Sequence, residues 1–413
     1  MAAIRSMGQL LQARAAETPD VRAFTYLRDG EADEQVLTYA ELDRRARALA
    51  QELDAEVGAG ERAVLLYPPG LDFIISLFGC FYAGVIPVPA YPPDPTRLAR
   101  TLPRLQAMLE DADAKAILTT TGILMVQDMV LEVAPALESY RWIATDEERP
   151  DAAFTARPAK ESDVVLLQYT SGSTGSPKGV VVTQENLIAN TISSSKAFHW
   201  NADTRCVVWL PHYHDMGFMT LIVTVFNGFQ TTFFSPLDFL QKPSRWVKAL
   251  SKYKANLSAG PNFAFDLAVR KTPPAEREGL DLSAMQTCMN AAEPITSPTI
   301  ERFLEAFEPY GFKRTALRPT YGLAEATVFV STTPMGTPPV LHSATVDDKP
   351  VVRVGCGRVT DLDAAIVDPE TLVRCKDGDV GEIWLRGKAI TRGYWRKEAE
   401  TEQSFKATLA SGE

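Results

Sequence analysis

The sequence predicts an α/β fold: two doubly wound α/β subdomains followed by a small β-rich, barrel-like subdomain. Three observations carry this expectation. Strand-length apolar runs alternate with amphipathic helical stretches from residue 39 to 119, and the rhythm resumes from 186 to 290. Such alternation implies right-handed βαβ units and parallel sheets covered on both faces. Between the two blocks a glycine- and hydroxyl-rich loop separates the apolar runs 163–167 and 179–183, so it joins strand to strand. Past residue 335 the helical period gives way to short apolar runs broken by Gly, Pro and Asp, the pattern of small β-structure. The expected division is about 1–185, 186–335 and 336–413.

Each element has its own local reason. Thr38-Tyr39-Ala40-Glu41 has the form of a capping box, and Leu42, Ala46, Leu49, Ala50 and Leu53 follow at helical spacing, which predicts a helix over 39–53. A turn at Gly58 to Arg62 leads into a strand at 63–67. An apolar helix over 73–82 ends at Gly84, before a Val-Ile-Pro-Val strand. A further helix over 96–111 and a strand over 114–119 complete the first block. In the last block, 351–354, 363–367 and 382–385 read as strands, while the proline-rich stretch 332–350 reads as irregular.

Composition narrows the function classes. The 413 residues are 46% hydrophobic and 23% charged, ordinary for a globular chain of two or three packed units. A net charge of −10 disfavours sequence-independent nucleic-acid binding, which needs clustered positive charge. The 5 cysteines are scattered without a C-x-x-C pair, which fits buried thiols in a reducing compartment. Residues 1–17 carry charges and no h-region, and the longest apolar stretches are short or broken by Gly and Pro. The expectation is a cytoplasmic protein without an integral membrane segment.

The run Gln168 to Gly179 is the most informative stretch. Thr170, Ser171, Gly172, Ser173, Thr174, Gly175 and Lys178 can wrap backbone N–H groups, hydroxyls and one ammonium around phosphate oxygens, because glycine permits φ > 0 and close approach. A Walker loop runs from strand into helix and needs Gly-Lys-Ser/Thr; here Lys178 stands between Pro177 and Gly179. The string resembles the phosphate loop of the adenylate-forming superfamily of acyl-CoA ligases, peptide-synthetase adenylation domains and luciferases. Three more segments agree in order: Trp209 to Phe218, with its Tyr213-His214-Asp215-Met216-Gly217 wording, then Asn290 to Ile295, then Pro319 to Thr327. Together with Leu66-Tyr67-Pro68-Pro69-Gly70 and Pro89-Ala90-Tyr91-Pro92-Pro93, they look most like fatty-acyl-AMP ligases.

The resemblance implies an enzyme that joins a fatty acid to the α-phosphorus of ATP, expels pyrophosphate and passes the acyl group to an acyl-carrier-protein thiol. It implies Mg²⁺ held by Glu325, a hard oxygen ligand of the type that ion prefers. Taken alone, Glu325 would be an ordinary solvated or capping glutamate; the string Thr320-Tyr321-Gly322-Leu323-Ala324-Glu325 alters that reading. Tyr321 would offer a ring face to adenine, with Asn290, Ala292 and Glu293 on its rim. His214 would lie where carboxylate meets phosphate, and Lys178 would meet the phosphates. Without the resemblance, His212 and His214 form an H-x-H pair, but zinc needs three or four ligands and only His199 and His342 remain. The run Phe218, Met219, Leu221, Ile222, Val225, Phe226, Phe229, Phe233 and Phe234, with Phe263 and Phe265, could line an acyl tunnel; core packing explains most of it equally well.

Two departures qualify the resemblance. The family's Thr-Gly-Asp segment, whose aspartate holds the ribose, and the small C-terminal domain with its catalytic lysine are not in the 413 residues. The match is therefore to the large N-terminal domain, and weak adenylation by this chain is expected. The interval Val328 to Val354 is short for the insertion that hampers coenzyme A in fatty-acyl-AMP ligases, so coenzyme A stays open as acceptor. A non-catalytic nucleotide- or acyl-binding module is the reading from a different class.

Overall fold

The computed structural model describes residues 6–92, 98–170, 177–346 and 349–412. Four parallel strands form one sheet in the order Ile86–Ala90, Arg62–Leu66, Ala116–Thr119, Arg141–Ala144. Helix Tyr39–Glu56 starts where the Thr38 hydroxyl accepts from the Glu41 N–H at 3.2 Å, and its Leu42, Ala46, Leu49 and Leu53 face is buried. Helix Leu71–Ala83 buries every residue except Asp72, and Gly84 ends it at φ 72. The two helices meet closely because Gly79 has no Cβ: one would stand 3.0 Å from Leu49 Cδ2. Helix Leu98–Ala112 covers the opposite face, where Leu102, Leu105 and Leu109 pack with Val64 and Ile117.

A nine-stranded sheet forms the centre of the molecule. Its order is Arg358–Val359, Phe329–Thr332, Leu317–Gly322, Thr287–Ala291, Leu257–Pro261, Arg205–Val208, Gln230–Phe233, Arg22–Leu27, Glu34–Thr38. The run from Leu317–Gly322 to Arg22–Leu27 is parallel, with antiparallel strands at both edges. The sheet thus draws strands from both sides of residue 185. Helices Gln184–Phe198 and Asp215–Asn227 share one large core with the helices of the first sheet, through residues such as Leu187, Ile222, Phe78 and Leu49. The other face buries Trp246, Phe265 and Phe303 from helices Ser244–Lys252, Asn262–Lys271 and Ser297–Phe307.

The last block contains two ribbons. Asp363–Val367 pairs antiparallel with Glu382–Arg386, close to the expected strands. The stretch read as irregular holds a strand, Val340–Val346, paired antiparallel with Lys349–Gly355. Its prolines cluster before the strand, at Pro334, Pro338 and Pro339, and mask it from a composition-based reading. Among the described residues, no helix is long and apolar enough to cross a membrane.

Candidate active site

The functional groups gather at the C-terminal ends of the parallel strands, the usual place for ligands in open α/β sheets. Strands Val164–Thr170 and Lys178–Thr183 pair antiparallel with Thr170 opposite Lys178, so they form the two arms of a β-hairpin on either side of the glycine-rich stretch. Ser171, Gly172, Ser173, Thr174 and Gly175 lie outside the described residues. The base of the hairpin is firmly placed. The Tyr169 hydroxyl donates to Asp111 Oδ2 at 2.6 Å, and Gly179 leaves room for the Tyr169 ring, which a Cβ would approach to 2.9 Å.

A segment from far along the chain completes this base. Arg392 N–H donates to Val181 O at 3.1 Å, Val181 N–H to Gly393 O at 2.9 Å, and Trp395 N–H to Gly179 O at 2.7 Å. Tyr394 therefore runs beside the hairpin. Its hydroxyl donates to Glu325 Oε1 at 2.6 Å, and the Lys178 ammonium lies 5.1 Å from its ring centroid. Burial, reinforced by the Glu325 carboxylate, pushes the Tyr394 pKa up to about 12, so at neutral pH it is a donor. Sequence reasoning missed Tyr394. Its only local signal was the Gly393-Tyr394-Trp395 string just past the Gly381 to Gly387 motif.

Strand Leu317–Gly322 delivers Thr320, Tyr321 and Gly322, and a short 3₁₀ turn, Ala324–Ala326, delivers Glu325. Gly322 is required sterically: a Cβ there would stand 1.8 Å from Val328 O. The Thr320 hydroxyl is buried and lies 2.9 Å from that of Thr332. Glu325 is half-buried, and Thr391 N–H holds its backbone carbonyl at 2.8 Å. Among the described residues, no group of three His, Cys, Asp or Glu could hold a metal. One carboxylate beside the glycine-rich hairpin is compatible with Mg²⁺, which binds through one or two carboxylates plus substrate phosphates rather than a protein cage.

On the neighbouring strand, Asn290 is fully buried and its Nδ2 donates to Asn262 Oδ1 at 3.2 Å. Its Oδ1 has no hydrogen-bond partner among the described residues. Ala292 adopts φ +69, an uncommon left-handed conformation for a residue with a Cβ. Glu293 is committed locally, since its Oε1 accepts from Phe263 N–H at 2.5 Å at the start of helix Asn262–Lys271.

The two histidines of the H-x-H pair have separate environments. His212 is buried against the Phe73 ring at 4.1 Å, and burial pushes its pKa down to about 3, so it is neutral. His214 is the N-cap residue of helix Asp215–Asn227. Its Nδ1 lies 2.6 Å from Asp215 Oδ1, and that carboxylate holds the imidazole pKa above its ordinary value. The loop is anchored by Gln168, whose Nε2 donates to Tyr213 O at 3.0 Å. Gly217 is again steric, because a Cβ would meet Pro211 O at 2.0 Å.

His214 and Asp215 stand at the junction of two cavities. One, of about 230 Å³, runs inward between helices Gln184–Phe198 and Asp215–Asn227 and is lined mainly by apolar side chains, including Phe198, Trp200, Met219 and Ala259. The other, of about 550 Å³, opens beside the glycine-rich hairpin and carries Arg100, Arg104, Gln168 and Thr170. Of the apolar run proposed for a tunnel, only Met219 lines the inner cavity. Met216, Met219, Thr220 and Val223 lie on the cavity side of their helix, while Phe218, Leu221, Ile222 and Val225 face the core. The helical period sorts a continuous apolar run into these two faces.

The site therefore offers a cleft carrying Arg100 and Arg104, joined at His214 and Asp215 to an inner, mainly apolar channel. Comparison with known proteins agrees with that class. The profile of the AMP-binding enzyme family matches residues 11–395, and the chain belongs to that family of adenylate-forming ligases. It is 41% identical to the medium-chain-fatty-acid–[acyl-carrier-protein] ligase JamA of Moorena producens (strain JHB), over 98% of this chain and 72% of that protein. It is 38% identical to the long-chain-fatty-acid–AMP ligase FadD32 of Mycobacterium marinum, over 94% of this chain and 64% of that protein. Among solved structures, the fatty acyl-adenylate ligase from L. pneumophila in complex with acyl adenylate and pyrophosphate superposes with a TM-score of 0.86 at 34% identity, covering 97% of this chain and 72% of that one.

Proposed function

We propose that this chain is the part of a fatty-acyl-AMP ligase that binds ATP and a fatty acid and brings them together as acyl-adenylate. The observation that carries the reading is the placement of His214 and Asp215 between the apolar channel and the cleft beside the phosphate hairpin. The acyl tail would occupy the channel, and its carboxylate would emerge at His214. A carboxylate oxygen then attacks the α-phosphorus, the bond to the bridging oxygen breaks, and pyrophosphate leaves along the hairpin.

Both reactants are anions, so the protein mainly supplies alignment and charge. His214, whose imidazole pKa is raised by the Asp215 carboxylate, would donate to the charge that develops at the junction. Lys178 meets the phosphates as a point charge. Glu325 would hold Mg²⁺, which supplies neutralisation of phosphate charge when bound. Tyr394 fixes one oxygen of that carboxylate, the kind of outer hydrogen bond that orients a metal ligand. The Tyr321 ring would receive adenine, with Ala292 beside it on the cavity wall, while Asn290 is buried behind them and supports the strand rather than the ligand. In the full-length protein the acyl group would pass to a carrier-protein thiol, a step supported by the name of the JamA relative.

Calorimetry with a non-hydrolysable acyl-AMP mimic tests the reading. The acylated mimic should bind at least about 100-fold more tightly than AMP, given roughly 0.8 kcal/mol for each buried methylene. Equal affinity for both would show that the channel does not take the tail.

A further inference from the structure

The apolar channel has a floor, and we infer that Trp200 forms it and limits the substrate to medium-chain fatty acids. The inference rests on the reading that the channel holds the acyl tail, and it adds the tail's length.

Strand direction fixes which end is the floor. Strands Arg205–Val208 and Leu257–Pro261 both run toward the site, one leading to His214 and the other to Asn262. Val208 and Ala259 line the channel near its mouth, while Cys206 and Leu257, paired across the sheet, mark the far end. Two helices measure the depth. The wall residues run from Met216 to Val223 on one helix and from Asn190 to Phe198 on the other. At about 1.5 Å per residue these spans are roughly 10 and 12 Å. An extended alkyl chain with C–C bonds of about 1.5 Å advances roughly 1.3 Å per carbon, so the channel accommodates about eight to ten carbons.

Trp200 closes that end because of how its helix stops. His199 turns left-handed at φ 56, Trp200 N–H donates to Ser195 O at 3.1 Å, and His199 N–H donates to Lys196 O at 3.3 Å. That pair of bonds is a Schellman motif, which folds the chain back over the last turn. The indole therefore stacks on Phe198, with centroids 4.8 Å apart and planes 13° from parallel, and meets buried Phe229 edge-on at 6.4 Å. Its Nε1 is buried without a hydrogen-bond partner among the described residues, an arrangement that costs free energy. Phenylalanine would keep the stack without that cost; what tryptophan adds is length.

The test is calorimetry of wild type, W200F and W200A with acyl-sulfamoyl-adenosine mimics carrying hexanoyl, octanoyl, decanoyl, dodecanoyl and hexadecanoyl tails. Wild-type affinity should rise to decanoyl and fall about tenfold or more by hexadecanoyl, the discrimination one or two misplaced methylenes bring. W200A should remove the fall, and W200F, which preserves the stack, should move the optimum toward dodecanoyl. A length profile unchanged in both variants, with acylated mimics still binding better than AMP, overturns the floor assignment alone. A wild type that binds hexadecanoyl as tightly as decanoyl overturns it too. If no acylated mimic binds better than AMP, the functional reading itself falls.

Discussion

At the scale of single residues, the proposed mechanism gives Lys178 and Glu325 different tasks, one meeting phosphate charge in the ground state and the other holding the metal. Lys178 stands at the hairpin base over the Tyr394 ring, and Glu325 is oriented by the Tyr394 hydroxyl. Glu325→Gln retains an acceptor for that hydroxyl and loses only charge. In the full-length protein it should lower the rate of acyl-AMP formation at saturating ATP by about 3 kcal/mol in barrier, or roughly 100-fold, with tail binding unchanged. Lys178→Ala should raise KM for ATP by about tenfold and leave kcat near normal, because uniform binding does not accelerate the chemical step. Initial rates at limiting and saturating ATP distinguish the two, and near-normal turnover by E325Q would make Glu325 structural. The sequence made these two residues legible because each sits in a distinctive string. Tyr394, which joins them, was not legible, since its partner Glu325 is remote in sequence and a Gly-Tyr-Trp string has no chemistry of its own. Glu293 shows the opposite case: its string points to a ligand, while its carboxylate is occupied by the Phe263 N–H.

At the scale of elements, most local signals were read well where they determine local structure. The Thr38 cap, the Gly84 stop and the strand-to-strand hairpin all follow from neighbouring residues, and all form as expected. Strands Arg22–Leu27 and Val340–Val346 went unread for different reasons. The first pairs in parallel with Gln230–Phe233, far along the chain, and antiparallel with the nearby Glu34–Thr38; that local hairpin was legible in its Ala-Phe-Thr-Tyr-Leu run and Asp29-Gly30 turn but was passed over. The second pairs in an isolated ribbon behind a cluster of prolines. The end of helix Gln184–Phe198 makes the same distinction testable. His199 occupies the left-handed position where glycine is unstrained, so His199→Gly should stabilise the fold by up to about 1 kcal/mol, measured by urea denaturation. A loss of 1 kcal/mol or more would mean that the imidazole contributes more than the strain costs.

At the scale of the molecule, helix Gln184–Phe198 ties the last block to the site. Asn186 has two separate functions at its start. Its Oδ1 accepts from Thr183 N–H at 2.9 Å within a capping box, and its Nδ2 donates to Lys388 O at 2.8 Å and Ile390 O at 2.9 Å. One turn on, Asn190 Nδ2 reaches Ala326 O and Phe329 O, on both sides of the turn that follows Glu325. The segment that Asn186 holds continues directly into Thr391, Arg392 and Trp395, whose amides bond Glu325, Val181 and Gly179. One helix therefore positions Glu325 and the base of the glycine-rich hairpin together. Asn186→Asp keeps the cap acceptor and removes both donations, leaving two carbonyls unpaired beside a new charge, which should cost about 1–3 kcal/mol of stability. Hydrogen exchange should quicken at the Thr391, Arg392 and Trp395 amides, and affinity for ATP should fall while the preference among acyl tail lengths is retained. Asn186→Ala, which also loses the Asn186 half of the capping box while the Thr183 hydroxyl still caps the helix, should show the same exchange pattern with a larger loss of stability. If exchange at those three amides is unchanged in Asn186→Asp, the segment is held by the hairpin alone and the coupling through this helix does not exist.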